Sequence, residues 1–172
     1  MAKHKLHKDL KRLSRIEQAA RLATRSRLNL GVATLFLAAV FIASLIFAGV
    51  GEGRAFIVAA GVIGAYMAMN IGANDVANNI GPAVGSRAIS LGGALLIAAI
   101  FEAAGAILAG GDVVQTIAKD IIDNSLLSDR EFVYAMLSAL FAAALWLNLA
   151  TSIGAPVSTT HSVVGAVIGA GI

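Results

Sequence analysis

FVYAMLSALFAAALWLNLATSIGAPVSTT, residues 132–160, carries no charged side chain. A helix that crosses a bilayer needs about 20 apolar residues, so this run is longer than one crossing. It is interrupted at Gly154 and Pro156, the two residue types that end or kink helices. Beyond the proline, which has no backbone N–H, Ser158 and Thr159 are good N-cap residues for a second helix running through Val163–Ile172. The stretch therefore predicts a membrane helix that stops at depth and restarts.

The remaining composition agrees. The 172 residues are 58% hydrophobic with a mean hydropathy of +0.83, which places the chain in a bilayer. Nine of the 13 Lys and Arg fall between Lys3 and Arg27, so the net charge of +3 describes a tail. Without cysteine there is no disulfide framework, no thiolate zinc site and no thiol nucleophile. The chemistry left is that of oxygen, amide and imidazole, and no nucleic-acid partner is expected.

Residues 28–51 exceed the core of a signal peptide and lack a cleavage site, which makes them an extra transmembrane helix. Residues 1–27 form a basic tail, read as either an amphipathic helix on anionic headgroups or a solvated charge run. Further crossings are expected at 55–74 and at 88–111, the latter passing through the single charge of Glu102. With the tail cytoplasmic, the Glu52–Arg54 turn lies outside, Arg87 inside and an acidic loop over 112–131 outside. The pairs Gly81/Gly85 and Gly165/Gly169 have the spacing that lets helices approach closely. The expected fold is all-α and polytopic, with broken (discontinuous) transmembrane helices in a cell or inner membrane.

A second polar cluster, Asn70-Ile71-Gly72-Ala73-Asn74-Asp75-Val76-Ala77-Asn78-Asn79, stands where the 55–74 crossing should end. At helical spacing Asn70, Asn74 and Asn78 share one face, with Asp75 and Asn79 on the adjacent one. A charged group facing lipid costs about 2.5 kcal/mol or more, so this face should look into a water-filled cavity or onto an ion. Gly72 loosens the helix, and Asn74 or Asp75 is expected to cap a new short one. At the other cluster, a half-helix starting at Ser158 presents free N–H groups, a positive dipole end, hydroxyls and the His161 imidazole: an anion site. The two are compatible if a hard cation or proton, held by Asp75 with the carbonyls of Asn74 and Asn78, lies between the carboxylate and the anion.

Each cluster alone has a plainer reading. Asparagines hydrogen-bond between membrane helices, a Ser-Thr-Thr run after proline caps a helix, Glu102 pairs across helices, and Asn148 with Trp146 marks an interface. Two polar helix interruptions in corresponding positions are harder to explain in that way.

Gly72-Ala73-Asn74-Asp75-Val76-Ala77-Asn78 resembles the GANDVAN motif of the PiT family of inorganic phosphate transporters. Pro156-Val157-Ser158-Thr159-Thr160-His161, continuing into Gly165-Ala166, resembles that family's PxSxTH…GA element. The likeness covers residues 55–172 and leaves the tail and first helix unmatched; Asn79 departs from the alanine often found after the first motif. It implies a symporter of phosphate with Na+ or H+, built from two inverted repeats, of which this chain would be the N-terminal one, truncated at its C-terminus. Asn74, Asp75 and Asn78 would contribute to the cation and phosphate sites, and Ser158, Thr159, Thr160 and His161 would line the phosphate pocket. Phosphate, a monovalent cation, the bilayer and a second repeat of the same protein are the implied partners, with no other cofactor.

Two other classes compete. An intramembrane aspartyl protease needs two facing carboxylates, for which only Asp75 and Glu102 are candidates, and a Ser/His enzyme should place the pair on separate helices, whereas Ser158 and His161 are three apart. An enzyme is therefore not expected. A channel or non-transporting membrane subunit, assembled through its glycine pairs, is the stronger alternative.

Overall fold

The structure, a computed structural model, describes residues 28–119 and 127–171. The basic tail and Asp120 and Asp123 of the expected acidic loop lie outside the described residues. All regular elements among those described are helical: α1 Leu28–Phe47, α2 Arg54–Ile71, a π-helical segment Gly72–Val76, α3 Ala77–Gly85, α4 Leu91–Lys119, α5 Asp129–Ser152 and α6 Thr159–Ala170. Four stretches, Leu28–Phe47, Arg54–Gly85, Leu91–Ile117 and Asp129–Ser152, are long and apolar enough to cross a membrane. The chain is a multi-pass membrane protein.

α2 and α5 run side by side in the same direction. Near their starts the rings of Phe56 and Tyr134 meet edge to face, with centroids 5.2 Å apart. Farther along, Asn148 Nδ2 donates to Asn70 Oδ1 at 3.1 Å. Two helices that touch both at their beginnings and about 20 Å later, fourteen residues on at 1.5 Å each, are parallel and in register. They therefore begin on the same side of the bilayer, with α4 the return crossing that separates them in sequence.

Small residues make the close packing possible. Ala143, Ala144 and Leu147 of α5 form the buried core with Met67 of α2, and Leu147 is 0% exposed. Val163 and Ala166 of α6 pack on the same cluster. Residues 153–158 separate α5 from α6, and this packing of Val163 and Ala166 shows that α6 turns back along α5 as a helical hairpin. Gly165 and Gly169 are not the close-approach points: a Cβ at either, or at Gly81 or Gly85, would meet nothing within 4 Å among the described residues. Tight packing occurs instead where Gly61 of α2 lies against the Ser44 hydroxyl of α1.

Two expectations are corrected. The helix does not break at Gly72. Its backbone stays right-handed helical through Gly72 (φ −58°, ψ −38°) and Ala77 (φ −61°, ψ −39°), with no side-chain cap at Ile71, so Asn74 and Asp75 sit in a π-helical widening of one continuous rod and not at a new N-cap. The acidic loop is also shorter than 112–131. α4 carries Asp112 and ends at Lys119, and Asp129 and Glu131 already belong to the first turn of α5. That turn is closed by a capping box, in which Ser128 N donates to Glu131 Oε2 at 2.9 Å and Glu131 N to Ser128 Oγ at 3.4 Å.

The break at Gly154 is confirmed, and its geometry is specific. Gly154 N donates to Thr151 O at 3.1 Å and Ala155 N to Ala150 O at 2.8 Å, the paired bonds of a Schellman ending with Gly154 at φ +71°. The same ending closes α3, where Arg87 N donates to Val84 O and Ala88 N to Ala83 O, both at 3.0 Å. There the left-handed residue is Arg87, at φ +61°. Since this conformation costs a residue with a Cβ about 1 kcal/mol or more, Gly154→Ala should lower, and Arg87→Gly raise, the thermal midpoint of the purified protein. Shifts of one sign in both variants would show that φ is not what governs these positions.

Candidate functional site

The π segment and the hairpin tip meet. Asn74, 5% exposed, projects from the π segment onto the α5–α6 connection. Its Nδ2 donates to Thr151 Oγ1 at 3.3 Å and to the Ala155 carbonyl at 3.1 Å. Its Oδ1 accepts from the Val157 backbone N–H at 3.3 Å and from Asn78 Nδ2 at 3.1 Å. An amide has two N–H groups and two lone pairs, and all four are engaged. Thr151, which sequence reasoning did not single out, is fixed in turn by donating to Leu147 O at 2.8 Å.

Between these elements lies a cavity of about 320 Å³, lined by Ala73, Asn74, Ala77, Asn78, Gly154 and Pro156 together with Thr151 and Ala155. It joins the two motifs that the sequence singled out. Asn74 lies twenty residues after Arg54 and thirteen before Arg87, about 30 Å and 20 Å along the rod at 1.5 Å per residue, inside the stretch Arg54–Gly85 that is long and apolar enough to cross a membrane.

Asp75 is half-buried on the same five-residue segment. The bonds that tie this segment to the hairpin tip run through Asn74 and not through Asp75, so its carboxylate is not consumed by that tie. Asn78 is exposed at the cavity wall and gives one N–H to Asn74; its carbonyl faces Pro82, four residues on, which has no N–H to offer. That acceptor was legible in the sequence and went unread.

At the start of α6, Ser158 is the N-cap, accepting from His161 N at 3.3 Å, and its Oγ lies 2.7 Å from His161 Nδ1. The direction of the Oγ–Nδ1 contact is set by the His161 tautomer, since a hydroxyl can accept twice or donate. Three residues apart at a helix start thus proves to be contact distance. Thr159 Oγ1 is buried with no hydrogen-bond partner among the described residues, a state that calls for an explanation. Thr160 and His161 are exposed. Ser158, Thr159, Thr160 and His161 do not line the 320 Å³ cavity; they crown the α6 N-terminus just beyond its Pro156 wall.

Asn70 belongs to the frame. It is 5% exposed, donates to Tyr66 O at 2.8 Å and accepts from Asn148, which is the plain interhelical role weighed for the asparagines. Glu102 and Asn79 face another space, a cavity of about 450 Å³ between α3 and α4 walled by Ile80, Ile97 and Phe101.

Comparison with known proteins gives concordant matches. The model described as the phosphate transporter family matches residues 71–172, which include both motifs. A Helicobacter pylori protein named "Putative phosphate permease" is 50% identical over 165 residues, 95% of this chain and 31% of its own length. Proteins of the same name from Mycobacterium bovis and Haemophilus influenzae are 52% and 51% identical over 128 and 110 residues, covering 73% and 63% of this chain and 23% and 26% of their own. The chain thus spans about a third or less of the length of these relatives. The Helicobacter match takes in α1, which the motif resemblance had left out. No solved structure matches.

Proposed function

The chain belongs to the phosphate transporter family, and from that premise we propose that the protein carries inorganic phosphate across a membrane in symport with Na+ or H+, this chain forming one of two inverted repeats. Asp75 and the Asn78 oxygens hold the cation. The α6 N-terminus, with Ser158, Thr159, Thr160 and His161, holds the phosphate. The observation that carries the reading is the Asn74 tie between the carboxylate-bearing π segment and the connection leading into the α6 N-terminus, on a rod apolar enough to cross a membrane.

Coupling follows from charge. A phosphate at the end of α6 is attracted by the dipole and N–H groups and repelled by Asp75; a cation or proton at Asp75 removes the repulsion, so each ligand raises affinity for the other by the same factor. The buried, unpartnered Thr159 hydroxyl supports the reading, because a donor held in reserve at such a site is satisfied when an anion arrives. The family is one of transporters, and the Ser158 and His161 pair, although in contact, is bound into the cap of its own helix. A second repeat, a cytoplasmic N-terminus and the absence of a further cofactor belong to the same proposal.

The test is phosphate uptake into proteoliposomes by a protein containing both repeats. Saturable uptake that requires a Na+ or H+ gradient is expected. Flux that neither saturates nor depends on a cation gradient would favour the channel.

A further inference from the structure

Asn74 is the most fully engaged polar side chain at the site. Two of its four partners, the Ala155 carbonyl and the Val157 N–H, flank Pro156 in the gap between the end of α5 at Ser152 and the start of α6 at Thr159. Neither helix supplies these backbone groups with an intrahelical partner, so a partner has to come from elsewhere. One side chain thus satisfies the acceptor on one side of the proline and the donor on the other. The remaining two bonds, to Thr151 at the end of α5 and to Asn78 one turn along its own rod, fix the orientation of the amide.

We propose that Asn74 is a positioning residue: it holds the hairpin tip in register with the π segment and touches neither phosphate nor cation. The proposal rests on the transport reading above and assigns Asn74 a different part in it. With every hydrogen-bonding position spent on the protein, Asn74 has none to give a ligand in this conformation. Asp75, its neighbour on the same segment, is set relative to the α6 N-terminus by the Asn74 bonds. Because Asn74 lies between the two ligand groups and belongs to neither, its loss should loosen the tip and weaken phosphate binding while leaving the cation its own carboxylate.

The experiment uses the full-length protein in lipid nanodiscs and proteoliposomes, with two readouts. Hydrogen–deuterium exchange follows the backbone of residues 155–162, and uptake kinetics separate the phosphate KM from the half-saturating cation concentration. For Asn74→Ala, exchange over 155–162 should rise about tenfold, the equivalent of one lost hydrogen bond. The phosphate KM should rise by a comparable factor while the cation constant, read at saturating phosphate, stays within about twofold. Thr151→Val, which removes one acceptor of Asn74 at nearly constant shape, should move exchange and phosphate KM in the same direction by less, and it carries the test if Asn74→Ala does not reach the membrane. Unchanged exchange over 155–162 would overturn the proposal. So would a cation constant that rises as much as the phosphate KM, which would make Asn74 a ligand. The exchange arm needs no transport: a protein that takes up no phosphate, yet whose hairpin tip loosens when Asn74 is removed, would sink the transport reading and leave the clamp standing.

Discussion

Asp75→Asn in the full-length protein should reduce cation-driven phosphate uptake about a hundredfold or more, while insertion and yield stay unchanged. Asparagine keeps the size of the side chain and removes only its charge. The bonds that tie the π segment to the hairpin tip run through Asn74, so that tie should survive the change. What is lost is a charge-assisted contact to a cation in a region of low dielectric, worth about 3 kcal/mol, or two decades of affinity. A second readout sharpens the result: residual phosphate binding in Asp75→Asn should no longer depend on cation concentration, because there is no carboxylate left for the cation to neutralise. Normal uptake in this variant would defeat the assignment of Asp75.

The second large effect is expected for Ser158→Ala combined with Thr159→Ala. Two hydroxyls at the α6 N-terminus then vanish, one the cap of the helix and the other a buried group with no partner among the described residues. Hydrogen bonds to a charged ligand contribute about 1.5–3 kcal/mol each, so the phosphate KM should rise by at least about tenfold. The cation constant at saturating phosphate should change much less. Thr159→Ala alone is informative, since it should not weaken the free protein, in which its hydroxyl goes unsatisfied, and so its cost should appear only with phosphate present. An unchanged phosphate KM in the double variant would count against the hydroxyl pocket.

The crossings were legible because length and apolar runs decide them, and the break at Gly154 and Pro156 because two residues with known backbone preferences mark it. The hairpin return of α6 was not legible, for it depends on the small residues Ala143 and Ala144 accepting Val163 and Ala166, a tertiary fact. Gly72 and Asn74 looked like a helix end because glycine followed by an amide is the usual signature of one. In the folded chain the rod runs on, and Asn74 finds its partners at the end of α5 and in the α5–α6 connection, 77 to 83 residues away in sequence. Asn148 was legible only as an interface mark beside Trp146, and its bond to Asn70 emerges only when α2 and α5 lie parallel. In contrast, the Ser158 and His161 contact and the Asn78 carbonyl opposite Pro82 follow from local rules and were readable. At the site, sequence named the right two segments but could not divide the residues between frame and ligand set, because that division depends on which hydrogen bonds are already spent.

The decisive measurement is the structure of the full-length protein in a lipid nanodisc, determined by cryo-electron microscopy with phosphate and the coupling cation present. Phosphate density is expected at the α6 N-terminus, within hydrogen-bond distance of the Ser158–His161 stretch and on the side facing Asp75. Phosphate seated elsewhere in the protein, with the Ser158–His161 stretch and Asp75 both turned to lipid, would contradict it.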